Sequence, residues 1–442
     1  MKASAQRKTI VVGVVGVLSL LAESWGNQVW AQNAPLKVDT GDTAWVLVSS
    51  AFVLAMLMPG LALFYGGLVR TKNVLGTIMQ SVMILSVVSL LWILFGYSLA
   101  FGPDHGGLIG GLEWVGLSGV GSEPHPVYGP TIPHQAFMLF QLMFAAIAPA
   151  LITGAFAERK RFTSVVLFAA LWSILVYVPL AHWIWGGGWL AQLGALDFAG
   201  GAVIHISSGA AALICAIVLG KRRGYGTDYM APHNLPMTLL GTGFLWFGWF
   251  GFNGGSALGA NGVAVSAILA THAAAAMGSI AWCGAEWAHR GKPTVLGVAS
   301  GAVAGLATVT PAAGYIGPMS AIAIGLVAGM TCYAAIVWKG RFGYDDSLDV
   351  VGIHGVGGVI GILATGLFAS KAVNAGGADG LFFGNPSLFG IQLLVVVVTT
   401  TFTIIGTFPI LKLVDSLTGL RVSSEEEATG LDLSQHNERA YS

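Results

Sequence analysis

Residues 199–219 read AGGAVIHISSGAAALICAIVL, and residues 349–369 read DVVGIHGVGGVIGILATGLFA. Each is an apolar run of about 20 residues, the length a helix needs to cross a hydrocarbon core. Each is broken by a single imidazole, His205 in the first and His354 in the second. Helical spacing places Ser208, Gly209, Ala212 and Ala216 on the face of His205, and Gly357, Gly358, Gly361 and Thr365 on the face of His354. Such small faces let two helices approach closely inside a membrane. An aspartate precedes each histidine by eight residues, Asp197 and Asp346. Polar groups within a span are expensive, which makes this matched pair a candidate functional site.

The rest of the chain supports a polytopic reading. Of 442 residues, 55% are hydrophobic and 9% charged, with mean hydropathy +0.76. Soluble domains carry about 25% charged residues. This composition excludes an ordinary soluble enzyme, a disordered chain and a nucleic-acid binder, which needs a basic surface. Further apolar runs lie near 43–67, 74–101, 134–157, 162–184, 235–253, 261–285, 294–311, 316–338 and 388–412, eleven spans in all. The loops after spans 1, 3, 5, 7 and 9 carry Arg70 and Lys72, Arg159 to Arg161, Lys221 to Arg223, Arg290 and Lys292, and Lys339 and Arg341. Those after spans 2, 4, 6 and 8 carry no Lys or Arg, and the loop after span 10 has only Lys371. The positive-inside rule then puts the odd loops and the C-terminus in the cytoplasm. The two histidine helices are five spans apart, and an odd offset inverts topology. The expected fold is all-α, with inverted five-helix repeats over about 43–219 and 235–369 plus a last helix, and a site at the repeat interface.

Both ends stand apart from this membrane domain, 32–414. Lys2, Arg7 and Lys8 precede an apolar stretch, Ile10 to Ala22, and Val29-Trp30-Ala31 offers a small-residue cleavage site. Residues 1–31 are therefore expected to be a cleaved signal peptide. Residues 415–442 are polar, with Glu425-Glu426-Glu427. They read equally as a solvated terminus or as a regulatory tail lying on the basic cytoplasmic loops.

Few chemistries compete. There is no G-x-x-x-x-G-K-[ST] loop for ATP, no H-E-x-x-H, and no paired intramembrane carboxylate. Cys215, Cys283 and Cys332 show no C-x-x-C spacing and read as buried thiols, and no metal or other cofactor is implied. Gly186-Gly187-Gly188 reads as a tight turn between Trp185 and Trp189. His182 and His272 read as histidines satisfied by neighbouring carbonyls or hydroxyls. An intramembrane enzyme would need a nucleophile beside the histidine pair, and only Ser207 and Ser208 are near. A neutral imidazole offers one donor and one acceptor nitrogen. Two of them suit a small polar molecule or a proton, whereas a bare alkali cation needs a cage of oxygens.

Aromatic, glycine-rich strings complete the picture: GWFGFNGGSA at 248–257, FQLMF at 140–144 and HWIWGGG at 182–188. With GALDFAGG, VIHISSGAAAL, APHNLPM, RGKPT, AVAGLATVTPAAGYIGP, DDSLDVVGIHGVGG and GLRVSSEEEATGLDLSQHNERAY, the sequence resembles the ammonium transporter family, its bacterial Amt branch closely. The resemblance runs from about residue 40 to the C-terminus and is weakest over the loop 102–133. It implies eleven spans, assembly as a homotrimer, and selective passage of ammonium or ammonia. It implies an outer ammonium site of Phe144, Trp185 and Ser256, bordered by Trp249. Phe144 and Phe252 would be stacked gating rings, and His205 and His354 would line the pore and relay a proton. Asp197 would support the outer site, although its sequence context also permits a structural role as N-cap of the helix at 199–219; Asp346 would shape the inner end, with Gln141 and Thr310 as pathway neighbours. It also implies a cytoplasmic PII-type regulatory partner. An ammonium sensor on the same fold and an electroneutral ammonia or carbon dioxide channel are the alternatives. A sensor would carry an appended signalling domain, for which the tail after 414 is too short.

Overall fold

The computed structural model describes residues 36–441, so the expected signal peptide lies outside the described residues. The membrane-type helices are α1 (Thr40–Leu68), α2 (Thr71–Phe101), α3 (His134–Phe156), α4 (Phe162–Gln192, interrupted at 185–188), α5 (Gly201–Leu219), α6 (Leu235–Gly255) and α7 (Gly262–Arg290). Then follow α8 (Val295–Val309), α9 (Pro318–Phe342), α10 (Val351–Phe368) and α11 (Pro386–Thr418). Ten are long and apolar enough to cross a membrane. The eighth differs from expectation. Its 15 helical residues span only about 22 Å at about 1.5 Å per residue, against a core of about 30 Å. The chain leaves the helix after Val309 and continues as turns through Tyr315.

Local signals explain several starts. Asp39 caps α1, Asn234 caps α6, Asn261 caps α7 and Thr294 caps α8, each side chain accepting a first-turn amide. The helix α3 is buried along nearly its whole length, so the others are arranged around it. Two short hairpins, β1 (Asp104–His105) with β2 (Ile109–Gly110) and β3 (Pro124–His125) with β4 (Gly129–Pro133), fill the 102–133 connection.

The small faces of α5 and α10 do what their composition foretold. A Cβ at Gly209 would collide with the Gly355 backbone, and one at Gly358 would meet the Gly201 carbonyl and His205 Cβ. The two helices therefore cross at near backbone contact. Both also begin in a π-helical turn, Gly201–Ile206 and Val351–Gly355, and each turn holds its histidine. Such turns recur at functional sites because they re-aim side chains.

The basic loops gather at one end. Buried Glu158, in left-handed backbone (φ +72), takes the Arg70 amide at 2.7 Å and its Nε at 2.9 Å. Arg222 bonds Asp345 at 2.9 Å, and Arg159 donates to the Ala155, Gly220 and Asp345 carbonyls. The tail is folded against this end. It forms α12 (Ser424–Thr429) and α13 (Leu431–His436). Glu427, 2% exposed, accepts from Arg421 at 2.7 Å and from the Arg223 amide at 2.6 Å. Gly76 donates to Asp432, and Leu431 to Asn73. The last membrane helix runs to Thr418, slightly past the expected start of the tail.

Candidate functional site

The site begins with a carboxylate. Asp197 stands before α5 and is 5% exposed. Its Oδ1 accepts the amides of Gly200 (2.8 Å) and Gly201 (2.7 Å), and its Oδ2 those of Ala202 (2.8 Å) and Val203 (3.2 Å). These are the amides a helix start leaves without partners. Burial pushes the Asp197 carboxyl upward and the four amides pull against it, leaving it raised. Asp346 occupies the matching place before α10, but its Oδ2 accepts one amide, that of Val351 (2.8 Å), and its buried Oδ1 has no partner. Burial raises Asp346 to about 6. Neither carboxylate touches the histidine pair through a hydrogen bond; each fixes the turn on which its histidine stands.

His205 and His354 meet edge to edge. Their Nδ1 atoms are 3.1 Å apart and their rings are nearly parallel, with centroids 5.1 Å apart. One proton must lie between the two nitrogens, so one ring donates and the other accepts. His205 Nε2 has no protein partner. Phe252 lies over His205 at 6.3 Å, and Phe144 stacks on Phe252 at 4.3 Å with 23° between planes. Phe144, Phe252, His205 and His354 thus form one file of rings through a buried interior. Trp185 meets Phe144 edge-on at 6.0 Å, beyond the phenylalanine stack. Its indole donates to the Asp197 carbonyl at 2.8 Å. Ser256 caps the end of α6 and donates to the Phe252 carbonyl at 2.8 Å.

The remaining candidates have the following neighbours. Trp249, expected beside the outer site, is 1% exposed and stacks at 5.7 Å on His205. Thr310 holds it there, accepting the indole N–H at 2.9 Å. Gln141 is half-buried on α3, and its Oε1 has no partner. The serines near the pair are committed elsewhere: Ser207 donates to the Val203 carbonyl and Ser208 to the Ala148 carbonyl. A serine nucleophile must donate to its base, and neither hydroxyl does. The amide cradle had its signal in an aspartate placed to cap the helix start, whereas the π-helical turns and the Trp249–Thr310 bond had none. Among the described residues no cluster of three His, Cys, Asp or Glu side chains suits a metal.

Known proteins resemble this chain in sequence and in fold. The family model described as Ammonium Transporter Family matches residues 44–441. An ammonium transporter of Bacillus subtilis is 53% identical over 402 residues, covering 91% of this chain and 98% of that protein. The crystal structure of Saccharomyces cerevisiae Mep2 superposes with a TM-score of 0.82 at 36% identity, covering 91% of each chain. A structure titled Sensor Amt Protein superposes with a TM-score of 0.81 at 30% identity, covering 90% of this chain and 98% of that one. A match over this length, with sequence identity above one half to a full-length relative, shows that the chain belongs to the ammonium transporter family.

Proposed function

We propose that the protein is a multi-pass membrane transporter that takes up ammonium and passes it inward as ammonia. The file of four rings carries this reading: an outer aromatic surface leads to a closed phenylalanine stack, and that stack leads to two imidazoles in an otherwise apolar interior. Ammonium is drawn to aromatic faces by cation–π attraction, and Trp185, Phe144 and the Ser256 hydroxyl supply its outer site. Potassium has similar size and equal charge, so dehydration alone does not separate the two ions. Only ammonium gives up a proton, and neutral ammonia crosses an apolar passage at far lower cost than an ion. Phe144 and Phe252 must swing apart to admit it. Beyond them His205 and His354 exchange hydrogen bonds with it, and the proton shared between their Nδ1 atoms makes the pair a relay. Trp249 walls the pore beside His205, with Thr310 behind it and Gln141 near the pathway. Transport then moves net charge.

The same reading takes α1–α5 and α6–α10 as inverted repeats, with α8 as the eleventh crossing, the N-terminus outside after signal cleavage, and the basic end with its tail in the cytoplasm. The chain assembles as a homotrimer with one pathway per subunit. The docked tail and basic loops form the surface for a PII-type regulator. A structure titled Sensor Amt Protein superposes on this fold, so the fold alone does not separate sensing from transport, and flux does. No serine-based reaction is proposed, given the bonding of Ser207 and Ser208.

The deciding experiment is charge movement in proteoliposomes on adding ammonium or potassium. A current for ammonium alone, lost in His205→Ala and His354→Ala, supports the mechanism. No current, together with no alkalinisation reported by an internal pH dye, refutes transport. Alkalinisation without current favours an electroneutral channel.

A further inference from the structure

The pore leaves a third buried histidine unused. His182, on α4, is wholly buried, and both its ring nitrogens face acceptors. Nδ1 lies 2.9 Å from the Ala100 carbonyl, and Nε2 lies 2.8 Å from Asp104 Oδ1. A carbonyl only accepts, so Nδ1 carries a proton, and the Nε2–Oδ1 contact must hold another. The ring with its carboxylate is therefore an ion pair whose charges cancel within it, and its bonds are charge-assisted and strong.

What this pair joins is more telling than the pair itself. Both oxygens of Asp104 take the Gly107 amide, at 2.8 and 3.0 Å, which sets the β1–β2 hairpin. The hairpin bonds back to α4 on both sides of the glycine turn: Trp183 Nε1 donates to the Leu108 carbonyl at 2.8 Å, and the Trp189 amide to the Gly107 carbonyl at 3.0 Å. The His182 carbonyl itself receives the amides of Gly186 (3.0 Å) and Gly188 (2.9 Å). The Tyr128 hydroxyl donates to the Gly186 carbonyl at 3.2 Å. Gly186 lies so close to the Ala100 carbonyl that no side chain fits. Trp185 sits in the middle of this clasp. A bulky indole whose edge must meet Phe144 needs a rigid backbone beneath it, and the buried imidazole of His182, once it loses the carboxylate at the surface, is left with an unpaired donor.

We propose that His182 and Asp104 are positioning residues of the outer ammonium site: their ion pair clasps the 100–110 hairpin to the 185–188 turn and thereby sets the Trp185 ring. The proposal rests on the transport reading of that site. It also gives the 102–133 connection, where family resemblance is weakest, a defined task.

The test uses the full-length protein in proteoliposomes. Asp104→Asn keeps size and an acceptor oxygen but removes the charge, whereas Asp104→Ala removes the contact. His182→Gln keeps a donor towards Asp104. For Asp104→Ala the apparent KM for ammonium should rise roughly tenfold, equivalent to about 1.4 kcal/mol, with the maximal current within about twofold of wild type. Asp104→Asn should lie near Asp104→Ala, and His182→Gln nearer wild type. In the same variants, hydrogen exchange at the Gly186 and Gly188 amides should quicken while α10 stays protected. Unchanged KM together with unchanged exchange overturns the proposal, and so does a fall in maximal current at constant KM, which marks general damage. A silent wild type would refute transport itself, and the exchange measurement would still decide whether the pair positions the turn.

Discussion

Replacing Asp197 with Ala would remove the partner of four amides at once. Those of Gly200, Gly201, Ala202 and Val203 lie 2.7 to 3.2 Å from its oxygens, and all four residues are buried. A buried donor left unmade costs about 1–3 kcal/mol, so four cost at least about 4 kcal/mol. With an unfolding entropy of about 2.1 cal/mol/K per residue over roughly 400 residues, that lowers Tm by about 5 °C. Asn is the sharper probe. Its oxygen can keep Gly200 and Gly201, but its NH2 group would point donor to donor at Ala202 and Val203, so about half the cost remains. Asp346→Asn should behave differently, because Asp346 Oδ2 serves the single amide of Val351 and Oδ1 serves none. An NH2 group at Oδ1 offends nothing there. The assay is thermal unfolding of the purified detergent-solubilised protein, followed by tryptophan fluorescence. Asp197→Ala and Asp197→Asn both melting within about 1 °C of wild type, or Asp346→Asn falling as far as Asp197→Asn, would refute the argument that the cradle holds the first turn of α5. His205 stands on that turn, so transport should fall further than the loss of stability alone explains.

Other consequences follow from single contacts. Lys160 is fully buried with its amine 3.9 Å from the Phe168 ring centroid and 4.1 Å from that of Phe156, and burial pushes it down to about 8. A cation lowered by folding costs stability at every pH below that value, and the cost fades as pH rises towards about 10. The two ring faces return part of it. Lys160→Met should therefore stabilise the protein by on the order of 1 kcal/mol at pH 7 and by less at pH 10; melts at the two pH values check the sign. Glu427→Ala strips Arg421 and the Arg223 amide of their acceptor, so limited trypsin digestion should release the tail faster, with α3 and α5 untouched; equal protection would mean the tail is held elsewhere. Gly209→Ala forces α5 from α10 at their closest crossing, where overpacking costs about 1–3 kcal/mol, and should widen the His205–His354 gap and abolish the ammonium current, whereas Gly243→Ala, which meets open space, should not.

Much of this protein is legible without coordinates because membrane insertion reads local properties. Span length and the alternation of Arg and Lys between loops are set residue by residue, since the bilayer is a solvent of fixed thickness. The scarcity of polar groups inside the spans likewise singled out His205 and His354, and glycine spacing foretold that their helices could touch. The sequence alone also carried family membership, because long ordered motifs need no geometry. Tertiary structure decided everything that depends on which distant residues share a neighbourhood. It set α8 at 15 residues where hydropathy extended the span through Pro311, because the chain turns after Val309. It set Trp249 against His205, because a hydroxyl 61 residues away receives its indole. It docked the tail, burying Glu427 between Arg421 and the Arg223 amide. It joined His182 to Asp104 across 78 residues. Hydrophobicity and charge count are sums along the chain. A hydrogen bond exists only when donor and acceptor are brought within about 3 Å in the right orientation, and that is a property of the folded chain alone.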